Sequence, residues 1–237
     1  MQNNPTSNNP LEMQTMGSEF DGGFAQYCVA KAKESFPINC DWSDIELASI
    51  PISYSTAEGM LCRADVEKET ILITGASGGV GSAAIQLAKI RGATIIAQCS
   101  PDKASFLKDL GADQTVNRSD NLVKVLGKNS VDVVFDLVGG SSWPQLLDII
   151  KPGGKYVTSG AIAGPIVDLD LRSLYLKDLT LYGSTVNDPF VFENVIRYIE
   201  EGQIKPLVAQ SFPLKEIHKA QKVFMEKKFI GKIVLIP

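Results

Sequence analysis

The run Ile71–Lys89, ILITGASGGVGSAAIQLAK, constrains the fold more than any other stretch. The apolar residues Ile71, Leu72 and Ile73, with Thr74, read as a buried strand. A glycine-rich turn follows and opens directly into an alanine-rich helix from about Gly79. Glycines let a backbone turn sharply and approach an anion closely. The free N–H groups of a first helical turn, with the positive end of the helix dipole, then hold phosphate. Strand, glycine turn and helix N-terminus in that order form the pyrophosphate-binding unit of dinucleotide-binding folds.

The pattern continues downstream. Strand 71–74 leads to helix 79–91, and strand 94–98 to a helix from Pro101 to Leu110 closed by Gly111. Strand 114–116, a helix near 119–127 and strand 131–136 follow. Helix 142–150 runs into the turn Lys151–Pro152–Gly153–Gly154, then strand 155–159, an irregular loop and strand 178–184. The strands are short and β-branched, as when both faces are buried. The expected class is α/β, a doubly wound parallel six-stranded sheet of Rossmann type over 45–187. The flanks differ. Residues 1–16 read as a disordered leader from their Asn, Pro, Ser and Gln content. GGFAQYCV reads as a strand and IELASIPISYSTAEGML as a helix leading to the sheet. Helix 189–201, a strand near 206–212, helix 214–227 and strand 232–236 break the alternation and read as part of a second lobe.

A net charge of −4 gives no reason to expect nucleic acid or an anionic membrane as partner. No apolar run is long enough to span a bilayer, and the N-terminus lacks secretory-signal organisation. Cys28, Cys40, Cys62 and Cys99 have no short paired spacing, which fits reduced thiols in a cytoplasmic protein. The single histidine, His218, reads as a surface helix residue, and no cluster of metal-ligand spacing is visible.

Read as AxGxxG, the loop places Ala76, Gly78 and Gly81 at the glycine positions, with Ser77, Gly79 and Val80 between them. A turn that only permits packing is the plainer alternative. Binders of the non-phosphorylated cofactor usually carry an acid at the end of the second strand. Here Gln98, Cys99 and Ser100 stand there, with Lys103 beyond and Arg118 after the third strand. Uncharged donors plus cations suit a 2′-phosphate, so NADP(H) is preferred over NAD(H). Asp102 argues the other way, and Lys103 could be a plain solvated lysine. Strands four and five should end at the cofactor, which nominates Val138 and Gly139, then Ser159, Gly160 and Ala161. Tyr54 lies near the expected nicotinamide end but reads as packing, and no proton donor stands out.

Several segments together resemble the medium-chain dehydrogenase/reductase family, in its quinone-oxidoreductase and zinc-type alcohol dehydrogenase branches. They are Gly22–Tyr27 (GGFAQY), Ser55–Thr56–Ala57, Gly75–Gly81 with Gln86–Lys89, Leu110–Asp113, Asp136–Gly140, Pro152–Gly154 and Gly231–Leu235. The resemblance implies an NAD(P)-dependent oxidoreductase that transfers hydride to or from a quinone, enone, aldehyde or alcohol. It also implies that Thr56 lies near the nicotinamide and that Lys232 reaches the pyrophosphate, although Lys232 as a plain surface lysine is equally compatible. In this family a catalytic lobe precedes the GGxAEY segment, whereas only a short polar leader precedes it here. The expectation is therefore a chain lacking most of that lobe. Residues 17–44 would be a remnant of a GroES-like β-rich domain and 188–237 the return to it. The family's zinc-dependent branch carries a Cys ligand just before the STA segment. Ile52 and Ser53 stand there and cannot replace a thiolate, so no zinc is expected.

Two other readings compete. The loop also fits TGxxxGxG of short-chain dehydrogenases, but their Tyr-x-x-x-Lys occurs only at Tyr27–Lys31, upstream of the loop. The chain could also be a truncated, non-catalytic NADPH-binding module. A small-molecule substrate and a homodimer through the open edge strand 178–184 complete the expectations.

Overall fold

The structure is a computed structural model describing residues 14–237, so most of the expected leader lies outside the described residues. Six parallel strands form the main sheet: β1 Thr70–Ile73, β2 Thr94–Cys99, β3 Gln114–Asn117, β4 Val131–Asp136, β5 Ile150–Thr158 and β6 Thr180–Gly183. Their order is β3-β2-β1-β4-β5-β6, so the chain reverses direction across the sheet between β1 and β4. In open α/β sheets ligands bind in the crevice at that reversal, outside the strands' carboxyl ends.

Helices cover both faces. On one side pack α2 Pro51–Arg63, α3 Gly79–Ile90, α4 Ala104–Leu110 and α8 Pro189–Glu200, meeting Ile71, Ile73, Val133 and Phe135. On the other, α5 Leu122–Leu126 and α6 Trp143–Ile149 meet Leu72, Val134 and Tyr156. Burial on both faces explains why the strands carry apolar runs rather than alternation. The short α1 Asp44–Ala48 begins with a capping box in which Ser43 and Glu46 satisfy each other's backbone amides. α2 is buried continuously from Ser53 to Leu61, which suits its Ser, Thr, Ala and Gly content.

Three expectations need correction. Residues 22–29 form no strand, and Phe24, Tyr27 and Val29 stand 71%, 91% and 89% exposed. Among the described residues nothing pairs with them, and an unpaired segment has no ladder to make it a strand. The expected turn 151–154 lies inside β5. Ile150 already pairs with Val131, and Lys155 then pairs with Val133, so the intervening residues bulge. Val131 packs in the core with α5 and α6, and Val133 in the core with α2 and α3. Finally, the expected helices at 101–110 and 214–227 each begin as a 3-10 turn.

Beyond the sheet, α8 buries Val191, Val195, Tyr198 and Ile199, the last three in the same core as α2 and α3. β7 Val208–Pro213 and β8 Lys232–Ile236 pair in parallel as a separate two-stranded sheet, joined by α9 Ile217–Glu226. The segment before α1 lies along α8. Phe36 meets Phe192 edge-on at 5.4 Å, and the Asn39 amide donates to Glu200 Oε1 at 2.9 Å. No helix among the described residues is long and apolar enough to cross a membrane.

Candidate functional site

The turn after β1 is built for close approach. Gly75 takes a left-handed φ of +57°, a conformation glycine adopts without a Cβ penalty. The Gly78 amide donates back to the Gly75 carbonyl at 3.0 Å. A Cβ on Gly81 would lie 2.5 Å from Gly75 O and 2.6 Å from Ala76 Cα, so only glycine lets α3 start this close to the strand end. Gly78 supplies no side-chain cap. The leading amides of α3 therefore have no intrahelical acceptor, and the dipole adds partial positive charge.

Asp136 fixes the neighbouring loops. Its buried carboxylate accepts from Thr74 Oγ1 and Tyr156 OH at 2.5 Å each, and from the Val138 and Gly139 amides at 3.0 and 3.1 Å. The ends of β1, β4 and β5 are thus tied to one anion. Burial, then the Asp136 charge, pushes the Tyr156 phenol far above its ordinary value, so it stays a donor.

A cleft of about 760 Å³ opens over this turn. Of the residues expected from sequence, Ser77, Gly78, Gly79, Ser100, Lys103, Arg118, Val138 and Lys232 line it. Gly139, Gly160 and Ala161 line a smaller neighbouring pocket of about 270 Å³. Thr56 is nearly buried on α2 and Ala76 fully buried. Val80 packs partly on the core, and Ser159 is exposed outside both cavities. Tyr54 is a packing residue, as expected: its hydroxyl donates to Lys205 O at 2.6 Å and accepts from Gln86. His218 is exposed on α9.

The charges of the cleft are one-sided. Among the described residues Lys103, Arg118, Lys227 and Lys232 line it, and no carboxylate does. Lys103 Nζ donates to the carbonyls of Lys227 and Phe229 at 3.0 and 3.1 Å, clipping the turn before β8 to the sheet. The Lys232 side chain makes no hydrogen bond or ion pair among the described residues, and burial pulls its ammonium below the ordinary lysine value. Ser100 hydrogen-bonds Asp102, whose carboxyl is held low first by that bond, with Lys103 and Arg118 contributing.

The outer wall was not anticipated. Ile217, Ala220, Gln221 and Phe224 of α9 face the cleft, joined by Phe229 and Ile233. Their spacing of three, one and three residues is one helical face, so the signal was present in the sequence. Among the described residues no group of three or more His, Cys, Asp or Glu could hold a metal. Ile52 and Ser53, at the start of α2, offer no thiolate or imidazole.

Comparison with known proteins agrees with this geometry. A putative alcohol dehydrogenase from Sinorhizobium meliloti superposes with a TM-score of 0.90 at 47% identity, over 94% of this chain and 64% of that one. A 2-octenoyl-CoA carboxylase reductase, solved in complex with NADP and 2-octenoyl-CoA, gives 0.83 at 28% identity, over 90% of this chain and 54% of that one. The acryloyl-coenzyme A reductase of Metallosphaera sedula is 30% identical over 92% of this chain. The chain spans 66% of that relative's length. Residues 79–201, from the glycine turn through α8, match the model described as zinc-binding dehydrogenase, and the chain belongs to that family of medium-chain dehydrogenases/reductases.

Proposed function

We propose that the chain is an NADP(H)-dependent oxidoreductase that reduces an activated carbon–carbon double bond, as in a quinone or enone, without zinc. The observation carrying this reading is that, among the described residues, four cations and no carboxylate line the cleft above a glycine cradle. NADP(H) brings a pyrophosphate and a 2′-phosphate, and its charge matches such a lining. The residues fit the cofactor: the unpaired first-turn amides of α3 and the unpartnered Lys232 side chain both call for an anion. They do not fit zinc, because the described residues gather no ligand set.

In this reading the α3 N-terminus and Lys232 hold the pyrophosphate. Ser100, Arg118 and Lys103 face the adenosine end. Lys103 also ties down the turn that follows α9 at the outer wall of the cleft. Asp136 holds the strand ends rigid, so that little reorganisation accompanies binding. Bound NADPH supplies a hydride equivalent from nicotinamide C4, and the protein orients it. The relatives named for acryloyl-CoA and 2-octenoyl-CoA act on double bonds conjugated to a carbonyl, which supports the substrate class. The proposal includes a homodimer through β6. That strand pairs only with β5 among the described residues, and Leu171, Tyr175 and Leu176 nearby are exposed. It also includes residence in the cytoplasm, where the four free thiols would stay reduced.

A second reading is a module that binds NADPH without turnover; the chain spans 66% of the Metallosphaera sedula relative's length. One experiment separates them. The isolated chain is mixed with NADPH and a panel of quinones and 2-enones, and nicotinamide absorbance and fluorescence are followed. Oxidation with any of these substrates supports the enzyme. Binding without oxidation across the panel assigns the module, and no binding overturns both.

A further inference from the structure

Ser53 sits in the first turn of α2 and is 1% exposed. Its Oγ has no hydrogen-bond partner among the described residues. A buried hydroxyl left unpaired is costly, so a native one calls for an explanation. Its position supplies one. A Cβ on Gly79 would lie 2.7 Å from Ser53 Oγ and 2.8 Å from Lys232 Cδ. Gly79 is the first residue of the twelve-residue α3, whose leading amides also lack acceptors. Helix amides and a hydroxyl, all without acceptors, therefore meet at one glycine, and the stem of Lys232 lies beside them. The missing glycine side chain is what gives them room to meet.

We propose that Ser53 is a phosphate-binding residue of the dinucleotide site, donating its hydroxyl hydrogen to a pyrophosphate oxygen at the start of α3. A phosphate oxygen offers several lone pairs and negative charge, and so satisfies the amides and the hydroxyl together. The Lys232 stem lies over the same glycine. This role of Ser53 rests on the reading that NADP(H) is the cofactor.

The test compares the full chain with Ser53→Ala. Titrations use NADP+, which carries the pyrophosphate, and adenosine 2′-phosphate, which lacks it. Thermal unfolding without ligand is measured beside them. Loss of one charge-assisted hydrogen bond should weaken NADP+ binding about tenfold. Adenosine 2′-phosphate should bind unchanged. The ligand-free midpoint should hold or rise, because the variant discards a hydroxyl that the free protein leaves unpaired. Equal NADP+ affinity would overturn the proposal, as would parallel weakening of both ligands or a lower ligand-free midpoint, either of which marks a structural serine. No NADP+ binding by the parent chain would overturn the cofactor reading as well, and so is a distinct outcome.

Discussion

Gly81→Ala tests whether the close approach of α3 to β1 is what shapes the cradle. The new methyl would lie 2.5 Å from Gly75 O, 2.6 Å from Ala76 Cα and 2.9 Å from Ala76 C. All three are backbone atoms of the turn, so no side chain can swing away. The turn or the helix must move by roughly half an ångström or more to restore van der Waals contact. Overpacking of this kind costs about 1–3 kcal/mol. Alanine in place of glycine in a helix returns up to about 1 kcal/mol. The net loss is then about 1–2 kcal/mol. With a urea slope of about 2 kcal/mol per M, the unfolding midpoint should fall by about 0.5–1 M.

Gly79→Ala is the internal control. Its methyl would meet side-chain atoms rather than backbone, Ser53 Oγ at 2.7 Å, Lys232 Cδ at 2.8 Å and Ser53 Cβ at 3.6 Å, and the lysine stem can rotate away. Stability should change by no more than about 0.5 kcal/mol, while NADPH binding weakens because Lys232 is displaced from the helix start. Urea titration of both variants, with NADPH fluorescence alongside, gives the comparison. A Gly81→Ala protein with the parent's midpoint and affinity would refute the close-packing argument, and a Gly79→Ala protein that unfolds early would refute the contrast.

Other predictions follow from the same geometry. Lys232→Met should weaken NADPH binding about tenfold or more, since a charged donor to phosphate is lost. Burial depresses the Lys232 value in the folded chain, so the fold carries a penalty for its protonated form. That penalty is full below the lowered folded value and disappears as pH rises toward the unfolded value. The parent should therefore gain stability relative to Lys232→Met with rising alkaline pH, while its NADPH affinity falls over the same range. Paired urea and binding titrations across that range check both signs. Asp136→Ala should lose about 3–5 kcal/mol in urea unfolding, because two hydroxyls and two amides are left without their acceptor. Sedimentation at micromolar concentration should show a dimer that Tyr175→Asp dissociates, and a monomeric parent chain would refute pairing through β6.

Much of the main sheet was legible because its signals are local. Short apolar, β-branched runs mark the strands, with glycine close behind β1, β4 and β5, and the helices between announce themselves by length and by residues such as Gly111. Elements whose form depends on a neighbour were not legible. The stretch 22–29 has strand-like residues, but nothing among the described residues pairs with it. Ile150 joins β5 only because Val131 lies beside it, across a bulge that Gly153 and Gly154 permit. The cleft shows the same division. Ser77, Gly78 and Gly79 follow from the turn itself, and Lys103 and Arg118 from their places after β2 and β3. The α9 wall had a readable period but no sequence signal of what it faces. Lys103 was expected to face a ligand or solvent, yet its ammonium ties down the turn before β8, a contact between residues more than 120 positions apart. The role of Asp136 was hidden for the same reason, since Thr74 and Tyr156 reach it from other strands.

The central claim is that the cleft over the glycine cradle, lined among the described residues by four cations and no carboxylate, holds a phosphorylated dinucleotide. The most direct measurement is a fluorescence titration of the isolated chain with NADPH and with NADH at a fixed, stated salt concentration. NADPH should bind at least about tenfold more tightly than NADH, as one additional well-paired phosphate provides. Equal affinity for the two, or tighter binding of NADH, would contradict the account.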